Sequence, residues 1–121
     1  MVDDEPMIAN TLEEILRKFG FEADAAYSGS EAVIRAQSQT YDVLLTDVMM
    51  PGLNGIQAAT EIRKTHPDCK VILVSGNANT AELLKEAEQS GMHFEVIAKP
   101  VHPMVIIERL QDIEKERDSR G

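Results

Sequence analysis

The feature that most constrains this chain is a fivefold alternation, in which short apolar runs with strand character recur between segments of helical period, with no internal repeat or low-complexity tract. After the stub Met1-Val2, the segment Pro6 to Phe19 sets Ile8, Leu12, Ile15, Leu16 and Phe19 at helical spacing, with Pro6 suited to a first turn and Gly20 to a C-terminal cap. Phe21 to Ala26 reads as a second strand. Ser28-Gly29-Ser30-Glu31 then has capping-box spacing ahead of Ala32, Val33 and Ala36, which predicts a helix to about Ser38. Val43-Leu44-Leu45 is continuously apolar, as a strand covered on both faces reads, and ends in Thr46-Asp47. Pro51 to Gly55 is turn chemistry, and Ile56, Ala59 and Ile62 carry a helix up to His66-Pro67. Val71 to Val74 is a fourth strand, Thr80 to Ser90 a helix closed by Gly91, and Val96-Ile97-Ala98 a fifth strand before Lys99-Pro100. A last helix from near Pro103 through Val105, Ile106 and Leu110 is expected to dissolve into the charged tail Glu114 to Arg120. The pattern predicts one α/β domain over residues 1–121, a parallel sheet with helices on both faces and right-handed crossovers.

Size and charge narrow the function classes. A chain of 121 residues buries a core without disulfides or a structural metal, and the lone Cys69 has no internal partner, which fits a reducing compartment and the cytoplasm. No apolar stretch approaches bilayer-spanning length, so no membrane role is expected. Twelve basic against 21 acidic residues give a net charge of -9, which repels phosphate backbones and argues against direct nucleic-acid binding.

Ligands in doubly wound sheets sit at the carboxyl ends of the strands. Standing there are Asp3-Asp4 after the first strand, Asp47 after the third, Ser75-Gly76 after the fourth and Lys99 after the fifth. Each has an ordinary structural use alone, as a helix cap, a turn or a solvated strand end. Together they do not, because three converging carboxylates raise one another's pKa unless a cation offsets them. Mg²⁺ suits such a site, being bound by one or two carboxylates, waters and phosphate oxygens. No His or thiolate is placed to favour zinc, and His66, His93 and His102 read as structural. A carboxylate can act as nucleophile toward phosphorus, and phosphoryl transfer asks of the protein mainly positioning and neutralisation of oxygen charge. Asp47 would be the acceptor, with Lys99, the Ser75 hydroxyl and backbone N–H groups near Gly76 on the phosphoryl oxygens.

Taken in order, Asp3-Asp4-Glu5, Asp47 through Met49-Met50-Pro51-Gly52 to Gly55, Ser75-Gly76 and Lys99-Pro100 resemble the response-regulator receiver family over essentially the whole chain. The resemblance implies a flavodoxin-like five-stranded parallel sheet in order 2-1-3-4-5 with five helices. It implies that Asp4 and Asp47 ligate Mg²⁺, that Asp3 does so directly or through water, and that the Met49 carbonyl completes the set. The implied donor is a phosphohistidine on a sensor histidine kinase or histidine phosphotransfer protein. The implied output surface is the fourth helix, fifth strand and fifth helix, through which a homodimer is also open. A pseudo-receiver that docks without taking phosphate is the alternative, and retention of the polar site residues argues against it. A small nucleotide-binding or hydrolytic enzyme is disfavoured, since neither a G-x-G-x-x-G nor a P-loop follows any strand.

Two departures from the family stand out. Only Met1-Val2 precede Asp3, which predicts unpaired backbone groups on the neighbouring strands, and Val96 stands where many members carry a Tyr or Phe. Phe94 shares strand parity with Val96 and is the candidate substitute, Asn77 flanks the site, and the Lys99-Pro100 bond is expected to be cis.

Overall fold

A computed structural model of the chain describes residues 1–76, 80–89, 91, 94–99 and 101–119. Asn77, His93 and the Lys99-Pro100 bond therefore lie outside the described residues. In chain order the elements are α1 (Pro6–Lys18), α2 (Gly29–Ser38), β1 (Val43–Asp47), α3 (Gly55–Thr65), β2 (Lys70–Ser75), α4 (Thr80–Gln89), β3 (Glu95–Ala98) and α5 (Pro103–Ser119).

The helices begin where local chemistry satisfies their first N–H groups. Pro6 opens α1, Ser28 Oγ accepts from Glu31 N–H at α2, and Asn54 and Gln57 form a reciprocal capping box at α3. Gly20, at φ 90°, takes the left-handed turn after α1. The last helix departs from expectation. It runs on to Ser119 instead of dissolving at Glu114, since buried Ile113 holds it and the Glu, Lys and Arg residues beyond are good helix formers.

β1, β2 and β3 form a parallel sheet in that order, with Leu45 opposite Ile72 and Val74 opposite Ile97. The first two apolar segments are not strands in their own right. Val2 makes single parallel bridges to Ala26 on one side and Thr46 on the other, so these segments extend the sheet in the expected order but with minimal pairing. The reason is local: Met1 to Asp3 offer only their own few groups, through Val2 N–H to Leu45 O at 2.8 Å, Asp47 N–H to Val2 O at 3.0 Å, Asp3 N–H to Ala26 O at 3.1 Å and Ala26 N–H to Met1 O at 2.9 Å. Among the described residues, Phe21 to Ala25 pair with no strand.

The core divides into two layers. Leu16, Leu45, Ile72, Ile106, Ile107 and Leu110 pack between the sheet and α1 and α5, whereas Ala32, Leu44, Ile56, Ile62, Val71 and Leu73 pack on the α2 and α3 side. The alternation of Ile72 and Leu73 to opposite layers is the strand period at work. No helix among the described residues is long and apolar enough to cross a membrane.

Leu73 is 0% exposed and Val96 40% exposed on adjacent strands. Leu73→Ala should cost about 2–5 kcal/mol in chemical denaturation, through lost transfer energy and a cavity. Val96→Ala should stay within about 0.5 kcal/mol. Comparable losses for the two would contradict this packing.

Candidate functional site

The sheet register places the site. Asp47 closes β1 opposite Val74, Ser75 follows Val74 and pairs with Ala98, and Lys99 comes directly after. Lys99 N–H donates to Ser75 O at 2.9 Å, which anchors the lysine backbone to the end of β2. From there Lys99 Nζ donates to Asp47 Oδ2 at 2.9 Å. The ladder around Val2 delivers Asp3 and Asp4 to the same edge, and carboxylate oxygens of Asp3, Asp4 and Asp47 lie within 4.8 Å of one another.

The three carboxylates differ in environment. Asp4 is exposed, whereas Asp3 is 1% and Asp47 8% exposed. Asp3 Oδ1 accepts from Glu5 N–H at 2.9 Å, but Oδ2 is buried with no hydrogen-bond partner. Burial raises the Asp3 pKa from its ordinary value, with Asp47 adding to the rise and the Glu5 N–H opposing it. At Lys99 burial works to lower the pKa, but the hydrogen bond and charge of Asp47, joined by Asp3 and Glu5, prevail and raise it. The ammonium therefore stays charged, and one cation faces three carboxylates. A buried carboxylate oxygen without a partner, beside two further carboxylates, is the donor set that a hard divalent cation fits.

The remaining expected residues fall close by. Ser75 is buried at the end of β2, and the Lys99 side chain runs past Gly76, where an added Cβ would stand 3.4 Å from Lys99 Cβ. Met49 follows in the irregular segment after β1, 47% exposed. Two further residues hold Asp47 that sequence reasoning did not assign to the site. Thr46 Oγ1 donates to the Asp47 carbonyl at 3.0 Å. Gly55 N–H donates to Val48 O at 2.9 Å, and a Cβ at Gly55 would overlap the Asp47 carbonyl oxygen. The available signal was a glycine directly after the Asn54 cap, where a helix former would otherwise serve better.

Phe94 does not reach the site. It lies partly buried before β3, under the Arg63 guanidinium at 5.0 Å, in the layer with Ile62 and Val71. Ala98, the register partner of Ser75, is four residues on, about 13 Å along an extended chain. Its parity with Val96 is real, but distance along the strand rules it out as a filler beside Ser75.

The fold finds its counterpart among known proteins. The profile of the response regulator receiver domain matches residues 1–111. The chain belongs to that family, the flavodoxin-like signalling domains of two-component systems. It is 33% identical over 116 residues to the chemotaxis protein CheY of Thermotoga maritima, covering 95% of each chain. The crystal structure of a CheY-like receiver domain protein from Methanospirillum hungatei superposes with a TM-score of 0.86 at 25% identity, over 99% of this chain and 94% of that one. The response regulator TrrA from Thermotoga maritima, crystallised in complex with Mg(2+)-BeF, gives 0.77 at 34% identity over 92% and 93%.

The raised Asp3 pKa carries a testable sign. The folded state holds a proton more firmly than the unfolded chain, so without metal the Asp3 contribution falls as pH rises from 3.8 through the raised folded value, and the cost stays above it. Asp3→Asn removes that titration and should melt higher than the parent at pH 7 in EDTA, with the gap closing toward pH 4. An equal or lower melting temperature at pH 7 would show that Asp3 bears no net repulsion.

Proposed function

We propose that this chain accepts a phosphoryl group on Asp47 in a Mg²⁺-dependent reaction, from a phosphohistidine of a sensor histidine kinase or histidine phosphotransfer protein. The observation that carries the reading is the Asp47 carboxylate, gripped through one oxygen by Lys99 and crowded by Asp3 and Asp4, in a chain of the receiver family. Asp3, Asp4, Asp47 and the Met49 carbonyl would hold the ion. When bound, Mg²⁺ offsets the carboxylate charge and the charge on the transferred oxygens.

The chain's own residues account for the rest. An Asp47 oxygen forms the new bond to phosphorus as the bond from phosphorus to the donor imidazole nitrogen breaks, and the imidazole keeps the electron pair. Lys99 Nζ, already at Asp47, passes to a phosphoryl oxygen, while the Ser75 hydroxyl and the Gly76 N–H take others. The TrrA complex with Mg(2+)-BeF supports the binding of Mg²⁺ by a chain of this fold. Ser75 and Lys99 are joined through their backbones, so a pull on either side chain acts on the β2–β3 edge and, beyond it, on the face formed by α4, β3 and α5. Val96, Met104 and Val105 are 39–48% exposed on that face and available to a partner. With Val96 small and Phe94 remote, the change is carried by the backbone after Ser75 and not by an aromatic side chain.

Incubation with acetyl phosphate and Mg²⁺, followed by intact mass, should add one phosphoryl group to the parent chain and none to Asp47→Asn or to the parent in EDTA. Lys99→Ala should retain some labelling but lose the associated shifts on β3 and α5. Phosphate at another residue, or labelling unaffected by EDTA, would overturn the mechanism; an unlabelled parent would leave a docking module without phosphate control.

A further inference from the structure

Gly29 stands where α2 begins, and its backbone does not ask for glycine, since its φ is not positive and Ala serves a helix better. What the position asks for is space. A Cβ there would stand 2.5 Å from the Leu53 carbonyl oxygen, 3.2 Å from Leu53 Cβ and 3.3 Å from Ala58 Cβ. Gly29 is buried, so the first turn of α2 lies directly against the segment that leads from Asp47 into α3.

Both sides of this contact are held in place. On the α2 side Ser28 Oγ accepts from Glu31 N–H at 3.1 Å and Glu31 Oε2 accepts from Tyr27 N–H at 3.0 Å, which fixes the chain on either flank of Gly29. On the α3 side Asn54 N–H donates to Gln57 Oε1 at 2.9 Å and Gln57 N–H to Asn54 Oδ1 at 2.8 Å, directly after Leu53. The bond from Gly55 N–H to Val48 O closes the segment between them into a loop. Within it Met50 is buried in the core layer that also holds Ala32 of α2, and Leu53 meets Gly29, so the loop is seated on the α2 side at two points. Met49 lies in that loop, four residues ahead of Leu53. A shift forced on Leu53 is therefore shared by the residues back toward Val48.

We propose that Gly29 is a positioning residue for the ion site: by admitting Leu53 against the first turn of α2, it sets the loop from Val48 to Gly55 and with it the Met49 carbonyl. The proposal rests on the reading given above, in which that carbonyl helps to hold Mg²⁺. Gly29 touches neither the ion nor Asp47, and acts only through the backbone it lets approach.

The test compares the parent with Gly29→Ala and with Ala36→Gly, which weakens α2 at a buried position away from the loop. In metal-free protein Gly29→Ala should displace the amide shifts of residues 48–55, and in a Mg²⁺ titration it should raise the dissociation constant by about threefold or more. Ala36→Gly should lower the melting temperature and leave the dissociation constant where it was. If Gly29→Ala does not fold, Leu53→Gly loosens the same contact from the other side and should weaken Mg²⁺ binding likewise. A folded Gly29→Ala, or in its place Leu53→Gly, with the Mg²⁺ affinity of the parent would overturn the proposal alone, as would equal weakening by Ala36→Gly. A higher melting temperature for Gly29→Ala with unmoved 48–55 shifts would also overturn it, since helix propensity would then be all that the glycine governs. A parent without saturable Mg²⁺ binding would instead overturn the reading of the ion site, and this proposal with it.

Discussion

Everything in this structure turns on holding three carboxylates within 4.8 Å of one another at the carboxyl ends of adjacent segments, with one lysine against them. Like charges that close disfavour each other's ionisation, and the Asp3 pKa rises in keeping with this and with its burial. A fold that only needed stability would not carry a buried carboxylate oxygen without a partner. The imbalance is local, and the cation and phosphoryl group of the proposed reaction would together complement it.

The sheet makes that arrangement rigid. Asp47 is fixed from both sides, by Val2 through its own N–H and by β2 through the bond from Val48 N–H to Val74 O at 3.2 Å. Thr46 and Gly55 close around its carbonyl, so the side chain has little freedom to retreat from Asp3. Lys99 is tied to Ser75 through the backbone, which makes the two residues that would meet a phosphoryl group parts of one edge. In the proposed reaction, a change at Asp47 would be passed on through this hydrogen-bonded register, without need of an aromatic intermediary.

Much of this was legible in the sequence because it depends on residue type at the ends of periodic elements. Asp3, Asp4, Asp47, Ser75 and Lys99 each follow an apolar run, and the parallel topology brings the ends of such runs together. The helix starts at Pro6 and at the Ser28 cap were equally plain, as local hydrogen-bond chemistry sets them. What was not legible depended on partners in space. Phe21 to Ala26 carries strand character but lacks a paired neighbour along most of its length, so only Ala26 bridges. Phe94 has the right parity, yet parity does not give distance, and the Arg63 guanidinium holds its ring in another layer. Gly55 read as a turn residue because its crowding against the Asp47 carbonyl appears only once α3 is docked.

The central claim is that the acidic edge is built around a divalent cation, and the most direct measurement is a Mg²⁺ titration followed by backbone amide chemical shifts. The account predicts saturable shifts confined to residues 2–5 and 47–50, with a smaller response at Lys99 as its hold on Asp47 is shared. Absence of saturable shifts there, or shifts spread evenly over the acidic surface, would contradict it.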